Sequence, residues 1–447
     1  MKRQLLRGTV QSVVLATTVS ALVGCGEDDP AARSARAAIE EGERDGGAVG
    51  DDAAPPARDG ATQPVLDPSA TPDAGQGGTD DDGLDRDVLR PESREPTEAR
   101  IRSLALPRGF AIDVFARGLQ NARMLAVHDG YVYLTRREQG DVLLLEDVDR
   151  DGQVDRQQTV ASGLHLVHGI TVHAPYVFLA TDTQVYRATL LEGGALGTPV
   201  PIIDDLPNAG QHPNRTLAVG PDDKLYITVG SACDACPLDD PEYATILRAE
   251  LDGARREIVA SGLRNTIGFG WHPTTGALWG MDHGSDWRGD DTPPEELNEI
   301  EEGKHYGWPY CYGNRQIDTI IQKPPMSTKE AFCAMTTAPV LENQAHEAPI
   351  GMVFYTASQF PALYEDSAFV AFRGSWNRLP ATGYKVGRVV FENGRPVRIE
   401  DFVTGFLIED GKAQFGRLAG IAVASDGSLL FTDDENGVVY RVTYVGE

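Results

Sequence analysis

From about residue 101 onward, apolar residues come in short runs that alternate with polar ones, as in YVYLT, KLYITV and SLLFT, with Asp-Gly and other Gly-containing turns between them. A period of two closed by turn residues predicts strands, and no run of helical periodicity competes. The runs fall into a recurring unit of short strand, Gly-containing corner, apolar strand, turn and second apolar strand. Six copies align: DVFARGLQNARMLAVHDGYVYLT, QTVASGLHLVHGITVHAPYVFLAT, PIIDDLPNAGQHPNRTLAVGPDDKLYITVG, EIVASGLRNTIGFGWHPTTGALWGMD, EAPIGMVFYTASQFPALYEDSAFVAF, and DFVTGF with GRLAGIAVASDGSLLFTDD. Such repetition predicts an all-β chain folded as a six-bladed β-propeller over residues 99–447. Insertions enlarge the connection from the fourth to the fifth unit and the corner of the sixth.

The polar positions break this rhythm at one place. The residues just before the first apolar strand of each unit lie where the outermost strand of a blade crosses back to the innermost strand, so their side chains gather at one mouth of the central channel. That place holds Asn121 and Arg123, then His168, then His212 with Asn214 and Arg215, then Arg264 and Asn265, and in the last unit Arg417. Corner residues of any propeller are solvated and cap strand ends, but two histidines and several arginines at equivalent corners favour a site. Guanidinium groups facing one cavity suit a ligand with several carboxylates, and a neutral imidazole among them suits general-base work near neutral pH.

Residues 26–98 carry almost no apolar side chains and consist mainly of Asp, Glu, Ala, Pro and Gly. Such a segment cannot bury enough apolar area to offset its ordering entropy and is expected to be a disordered acidic tether. It contributes to the net charge of -27, which argues against nucleic-acid or anionic-lipid partners held by charge. Residues 1–25 show Lys2, Arg3 and Arg7 before a modest apolar run that ends in Leu22-Val23-Gly24-Cys25. The run is short for a membrane span and is expected to be a secretory signal, and the tetrad resembles the bacterial lipobox, whose cysteine is lipid-modified after cleavage. The expected location is the bacterial cell envelope, lipid-anchored at Cys25, with Gly26 favouring the outer membrane. In that oxidising compartment the remaining four cysteines, Cys233, Cys236, Cys311 and Cys333, are expected to form disulfides. A redox dithiol or half a zinc site stays open for the CDAC segment at 233–236.

The segments HPNRTLAVGPDDKLYITVG and GLRNTIGF, then HG followed by EELNEIEEGKHYGWPYCYG, together resemble the glucose/sorbosone dehydrogenase family. Its members are quinoprotein propellers that carry pyrroloquinoline quinone (PQQ) and calcium. The resemblance runs from about residue 105 to 445, and RGSWNR at 373–378 is closer to the sorbosone-dehydrogenase-like branch. It implies oxidation of a sugar or sugar aldehyde, with His212 as the base that takes the hydroxyl proton and Arg264 stabilising charge on the quinone oxygens. Asn265 and Arg417 then hold the cofactor, His168 falls near a family glutamine at the site, and Arg373 or Arg378 replaces a family lysine. The metal ligands, largely main-chain carbonyls, fall on Gly284 and Ser285. The acidic partner of the base falls on Ser231, which leaves three readings: Asp234 or Asp282 substitutes, the enzyme is slow, or catalysis has been lost.

A second calcium candidate needs no family. DVDRDGQVD places Asp147, Asp149, Asp151 and Asp155 at alternating positions around Gly152, like the front of an EF-hand loop, but position 158 is Gln and the closing carboxylate is missing. A solvated acidic turn is the alternative. Trp271, Trp279, Trp287, Trp308 and Tyr310 are read as blade core or channel rim, and His272 and His305 as turn residues. Two further classes of function remain beside the dehydrogenase: a calcium-dependent lactonase-type hydrolase and an inactive envelope binding propeller. Specificity is expected in the loops 285–296 and 312–349. With no haem-attachment CxxCH, a dehydrogenase here would pass electrons to a separate acceptor such as a cytochrome or quinone.

Overall fold

The computed structural model describes residues 88–207 and 210–446, so Cys25, the expected signal segment and the expected tether up to residue 87 lie outside the described residues. Among these residues the chain forms six four-stranded antiparallel sheets. In five of them chain order is spatial order. The first, for example, runs Ala122–His128, Tyr131–Arg136, Asp141–Glu146, Arg156–Ser162, and the third Leu217–Val219, Leu225–Val229, Thr245–Ala249, Glu257–Ser261. The sixth is completed from the far end of the chain: Phe110–Ala116 pairs antiparallel with Val438–Tyr444, from Phe110 opposite Tyr444 to Ala116 opposite Val439. Phe110 fixes that closure with edge-on contacts, at 4.8–5.1 Å, to the rings of Phe360, Tyr364, Phe402 and Tyr444.

The second strand of each sheet is the most apolar because neighbouring sheets cover both of its faces. All five residues of Leu225–Val229, Leu278–Asp282, Ala368–Phe372 and Leu429–Asp433 are buried. The first strands approach one another main chain to main chain. A Cβ on Gly169 would lie 2.5 Å from the Arg215 carbonyl oxygen, and one on Gly351 or Gly420 would meet the main chain of Ala419 or Arg123. Only glycine permits that spacing.

Two expectations change. The large insertion sits inside the fourth sheet and not between two units. It separates the third strand, Glu295–Glu299, from a three-residue outermost strand, Leu341–Asn343. It carries the hairpin of Cys311–Tyr312 and Gln316–Ile317 and the short helix Lys329–Cys333, N-capped by Thr328, with Cys311 and Cys333 joined as a disulfide. Residues 88–98, expected in the tether, are ordered. Glu92–Ser93 lies parallel on Ala413–Gln414 in the enlarged corner of the last unit, with Glu92 N–H on the Lys412 carbonyl and Arg94 N–H on that of Gln414. Thr97 then caps the helix Glu98–Ile101, whose Ile101 is buried in the core. A polar sequence is ordered here because its backbone completes a sheet edge and a single apolar residue follows to anchor it.

Candidate active site

The antiparallel register brings two series of residues to one edge. Ala122 lies opposite Arg136, Gly169 opposite Ala180, and Leu418 opposite Asp433, so the corner before each first strand adjoins the loop after the second. The corners supply Arg123, His168, His212, Arg264, Asn265 and Arg417. The second-strand ends supply Arg137, Ser231, Asp282 with His283, Arg373 and Asp434.

His212 points its Nδ1 at the Ser231 carbonyl oxygen (2.8 Å) and at Ser231 Oγ (2.9 Å). A carbonyl only accepts, so Nδ1 carries the proton and Nε2 keeps its lone pair. Ser231 Oγ agrees, because its own hydrogen is donated to the Cys233 carbonyl at 2.7 Å, leaving it to accept from the imidazole. Burial, then the nearby Arg264 charge, hold His212 well below the usual histidine value, so the neutral base form persists at neutral pH. Gly230 permits this packing: a Cβ there would lie 2.6 Å from His212 Cβ and from Asn265 Oδ1.

Neither carboxylate expected to stand in for the missing acidic partner reaches the histidine. Asp282 accepts the backbone N–H groups of Arg264 and Asn265, both at 2.9 Å, and the Thr266 hydroxyl at 2.8 Å, holding the corner itself. Asp234 holds the Arg264 side chain. Nη2 lies 2.8 Å from Asp234 Oδ1 and 2.8 Å from Asp286 Oδ2, and Nε donates to the Asp234 carbonyl. Burial would lower the Arg264 pKa, but Asp286 and Asp234 raise it, so the guanidinium stays charged beside the neutral base. Asn265 Nδ2 donates to His283 Nδ1 at 3.4 Å, and its Oδ1 is buried without a partner.

On the other side of the mouth positive charge exceeds negative. Asp434 takes Arg123 and also Arg373, whose Nε and Nη2 lie 3.1 Å from its oxygens. Burial alone would raise Asp434, but Arg373, Arg123 and Arg417 hold it down to about 2. Arg417 has only a long contact, 3.5 Å, from Nη2 to the Gly374 carbonyl, and burial followed by repulsion from Arg373 lowers it to about 9. Arg137, bonded through Nε to Asn214 Oδ1, is lowered to about 10, first by burial. Among the described residues, Arg373 Nη1, Arg417 Nε and Arg137 Nη2 are buried with no hydrogen-bond partner. Burial, then Arg123 and Arg137, keep His168 far below its usual pKa, hence neutral. Unpaired buried donors are costly, and four arginines around one carboxylate leave room for an anion with several acceptors. A PQQ-like polycarboxylate meets that requirement.

Gly284 and Ser285 border a small cavity that Arg264, Asp282, Glu296 and Asp318 also line. Gly284 N–H donates to Glu295 Oε2 at 3.0 Å. Burial, then Asp282, push Glu296 up to about 8, as expected of carboxylates crowded without a cation. These oxygens suit a hard ion such as calcium. Arg378 sits apart from Arg373, with Nη2 on Asp291 Oδ1 (3.1 Å) and Nη1 on the Ala345 carbonyl (3.4 Å), in the loops that precede the third strand and follow the outermost strand of the fourth sheet. The distant Asp147, Asp149 and Asp151 offer ligand oxygens within 4.8 Å of one another. Asp155 stands outside that group and accepts the N–H of Val148 (2.6 Å) and Asp149 (3.2 Å). Cys233 and Cys236 form a disulfide, as expected, so neither sulfur is offered as a zinc ligand. Trp308, read as core, donates through Nε1 to the Asp234 carbonyl at 3.0 Å and so belongs to the site's support. His272 and His305 accept backbone N–H groups two residues on, as turn residues do.

Corner reasoning missed Arg137, His283, Asp286 and Asp434. A signal for three of them existed in the repeat: the second strands end in YLTRRE, FLATD, ITVGS, GMDHG, VAFRG and FTDDE, each passing from apolar to charged or hydroxylated residues at one register position.

Several known proteins are similar to this chain in sequence or in fold. An uncharacterized protein of Borreliella burgdorferi is 37% identical over 242 residues, covering 53% of this chain and 62% of its own length. The aldose sugar dehydrogenase of Escherichia coli is 33% identical over 193 residues, 43% of this chain and 45% of its own. The chain thus spans about half the length of these curated relatives. Among solved structures, the holo form of the pyranose dehydrogenase PQQ domain from Coprinopsis cinerea superposes with a TM-score of 0.66 at 19% identity, covering 79% of this chain and 99% of that one, which shows a shared fold. The TrAA12-like family model matches residues 104–445, and the chain belongs to that family.

Proposed function

We propose that the protein is a PQQ- and calcium-dependent dehydrogenase of an aldose or related sugar aldehyde, built as a six-bladed propeller with one sheet per blade. The observation that carries this reading is the pairing at one mouth of a base of fixed tautomer, His212, with a partly neutralised arginine array in which Arg373 Nη1, Arg417 Nε and Arg137 Nη2 lack acceptors among the described residues. Arg373, Arg417, His168 and Asn265 would hold the PQQ carboxylates and polar edge, and the carbonyls of Gly284 and Ser285 the calcium. When bound, PQQ supplies a hydride acceptor and calcium the charge that polarises it. The chain's own part is then defined. His212 Nε2 takes the proton of the substrate hydroxyl, while its Nδ1–H stays on Ser231. The imidazolium so formed is stabilised by dipoles and not by a carboxylate. Arg264, anchored at Nη2 and Nε by Asp234 and Asp286, offsets negative charge that develops beside it. The relatives' names, the family and the fold support this reading. A lactonase-type site would hold its metal with side-chain carboxylates open to substrate; here Asp282, Glu296 and Asp318 line the small cavity beside Gly284 and Ser285, and the rest of the mouth is dominated by arginines. Lipid anchoring at Cys25 in the envelope and a separate electron acceptor complete the proposal.

Adding PQQ and calcium to metal-free protein tests it. Binding by titration, followed by reduction of a dye acceptor when aldoses are supplied, is the expected result. Failure to bind PQQ with calcium present would overturn the reading, and binding without turnover of any sugar would leave a ligand-binding propeller.

A further inference from the structure

The segment Ser231–Cys236 touches both the base and Arg264, together with the residues that hold Arg264 in place. Its first residue receives His212 Nδ1–H on both carbonyl and hydroxyl, and that hydroxyl is tied to the Cys233 carbonyl. Its fourth, Asp234, offers the carbonyl to Arg264 Nε and Trp308 Nε1, each at 3.0 Å. The Asp234 carboxylate takes Arg264 Nη2 (2.8 Å), Asp286 N–H (2.6 Å) and Arg288 Nη1 (2.9 Å). Asp234 is 5% exposed, so these bonds replace its water outright. The disulfide between Cys233 and Cys236 closes a ring around Asp234. A loop of this length has no helix or ladder to hold it, and cross-linking removes the alternative conformations in which the carbonyls of 233 and 234 would turn away.

We infer that this disulfide-closed loop is the positioning element of the site, with Asp234 and Ser231 as positioning residues that orient Arg264 and His212 together. The inference rests on the proposed function for the roles of those two residues. It replaces the single acidic partner of the base with a covalent ring that serves base and arginine at once.

Cys233→Ala/Cys236→Ala and, separately, Asp234→Asn are compared with wild type. The measurements are 15N–1H spectra of histidine-labelled protein, with His212 assigned through His212→Gln, PQQ titration in calcium, and kcat and KM for an aldose. The double variant should lose the fixed Nδ1–H signal of His212, bind PQQ at least tenfold more weakly and show kcat lowered at least tenfold with KM changed less. Asp234→Asn keeps the ring and both carbonyls, so it should retain the histidine signal while weakening PQQ. A folded double variant with wild-type histidine spectra and PQQ affinity overturns the inference. Should that variant fail to fold, unchanged PQQ affinity in Asp234→Asn overturns it instead. If wild type itself binds no PQQ, the proposed function fails, and the loss or retention of the histidine signal still decides the role of the ring.

Discussion

Ser231→Ala separates the side chain from the main chain in orienting the base. In wild type Nδ1–H is shared between the Ser231 carbonyl at 2.8 Å and Oγ at 2.9 Å. Alanine removes the second acceptor and keeps the first, so the tautomer with a free Nε2 survives. The loss at the histidine is part of one hydrogen bond, about 0.5–1.5 kcal/mol, or roughly 2- to 12-fold in kcat. Where a carboxylate is the only orienting group of a catalytic histidine, its neutralisation costs about 10⁴. The Cys233 carbonyl also loses its donor at a position where Ser231 is 0% exposed, so the fold should lose about 1–3 kcal/mol. Steady-state dye reduction on PQQ-loaded protein, beside a denaturant melt, reads both numbers. A kcat loss above about 100-fold with the melt unchanged would show that the hydroxyl, not the carbonyl, fixes the tautomer, and the reasoning would fail.

Three other outcomes follow from the same geometry. Because burial and Arg264 depress the His212 pKa below its ordinary 6.5, the base is neutral above that lowered value, and the acid limb of the kcat profile should fall below pH 6.5; a limb at or above pH 7 would contradict this. Glu296 has a folded pKa of about 8 against 4.5, so the folded state binds its proton more tightly and stability is lost as pH rises between those values. Thermal melts of metal-free protein should therefore drop from pH 6 to pH 8, and Glu296→Gln should remove part of that drop while wild type recovers on adding calcium. Gly351→Ala would press a methyl onto the Ala419 carbonyl between adjacent sheets and should cost about 1–3 kcal/mol in a denaturant melt, whereas Gly276→Ala, with open space around it, should show only the strain of its positive φ.

The strands were legible because a pleated strand writes its period directly into the chain, and the corners because polar residues stood where apolar ones were due. Arg123, His168, His212, Arg264 and Arg417 could be placed together from register alone. The repeat of second-strand ends places Asp434 at the same mouth, but its role was hidden, since it depends on pairing with Arg123, 311 residues away, and single-residue chemistry does not reveal a partner. Asp234 and Asp282 were expected beside the histidine, yet the fold turns one onto the Arg264 guanidinium and the other onto the backbone of Arg264 and Asn265. The insertion was misplaced because Leu341–Asn343 has only three residues, too few to show a period. The ordering of 88–98 was hidden by composition, because a strand that pairs through its backbone needs no apolar side chains of its own.

The closing pair of strands sets the order in which the site can come into being. Arg123 and Arg137 are made early, but Asp434 and Arg417, which complete their cluster, come about 280 to 311 residues later by the spacing of the chain, shortly before the strand that pairs with Phe110–Ala116. During synthesis the first sheet therefore waits with unneutralised arginines until the last segment emerges. An anion that needs Arg417 beside Arg123 and Arg373 finds its full set of donors only after those distant segments have met. Its retention is a certificate that the ring has shut.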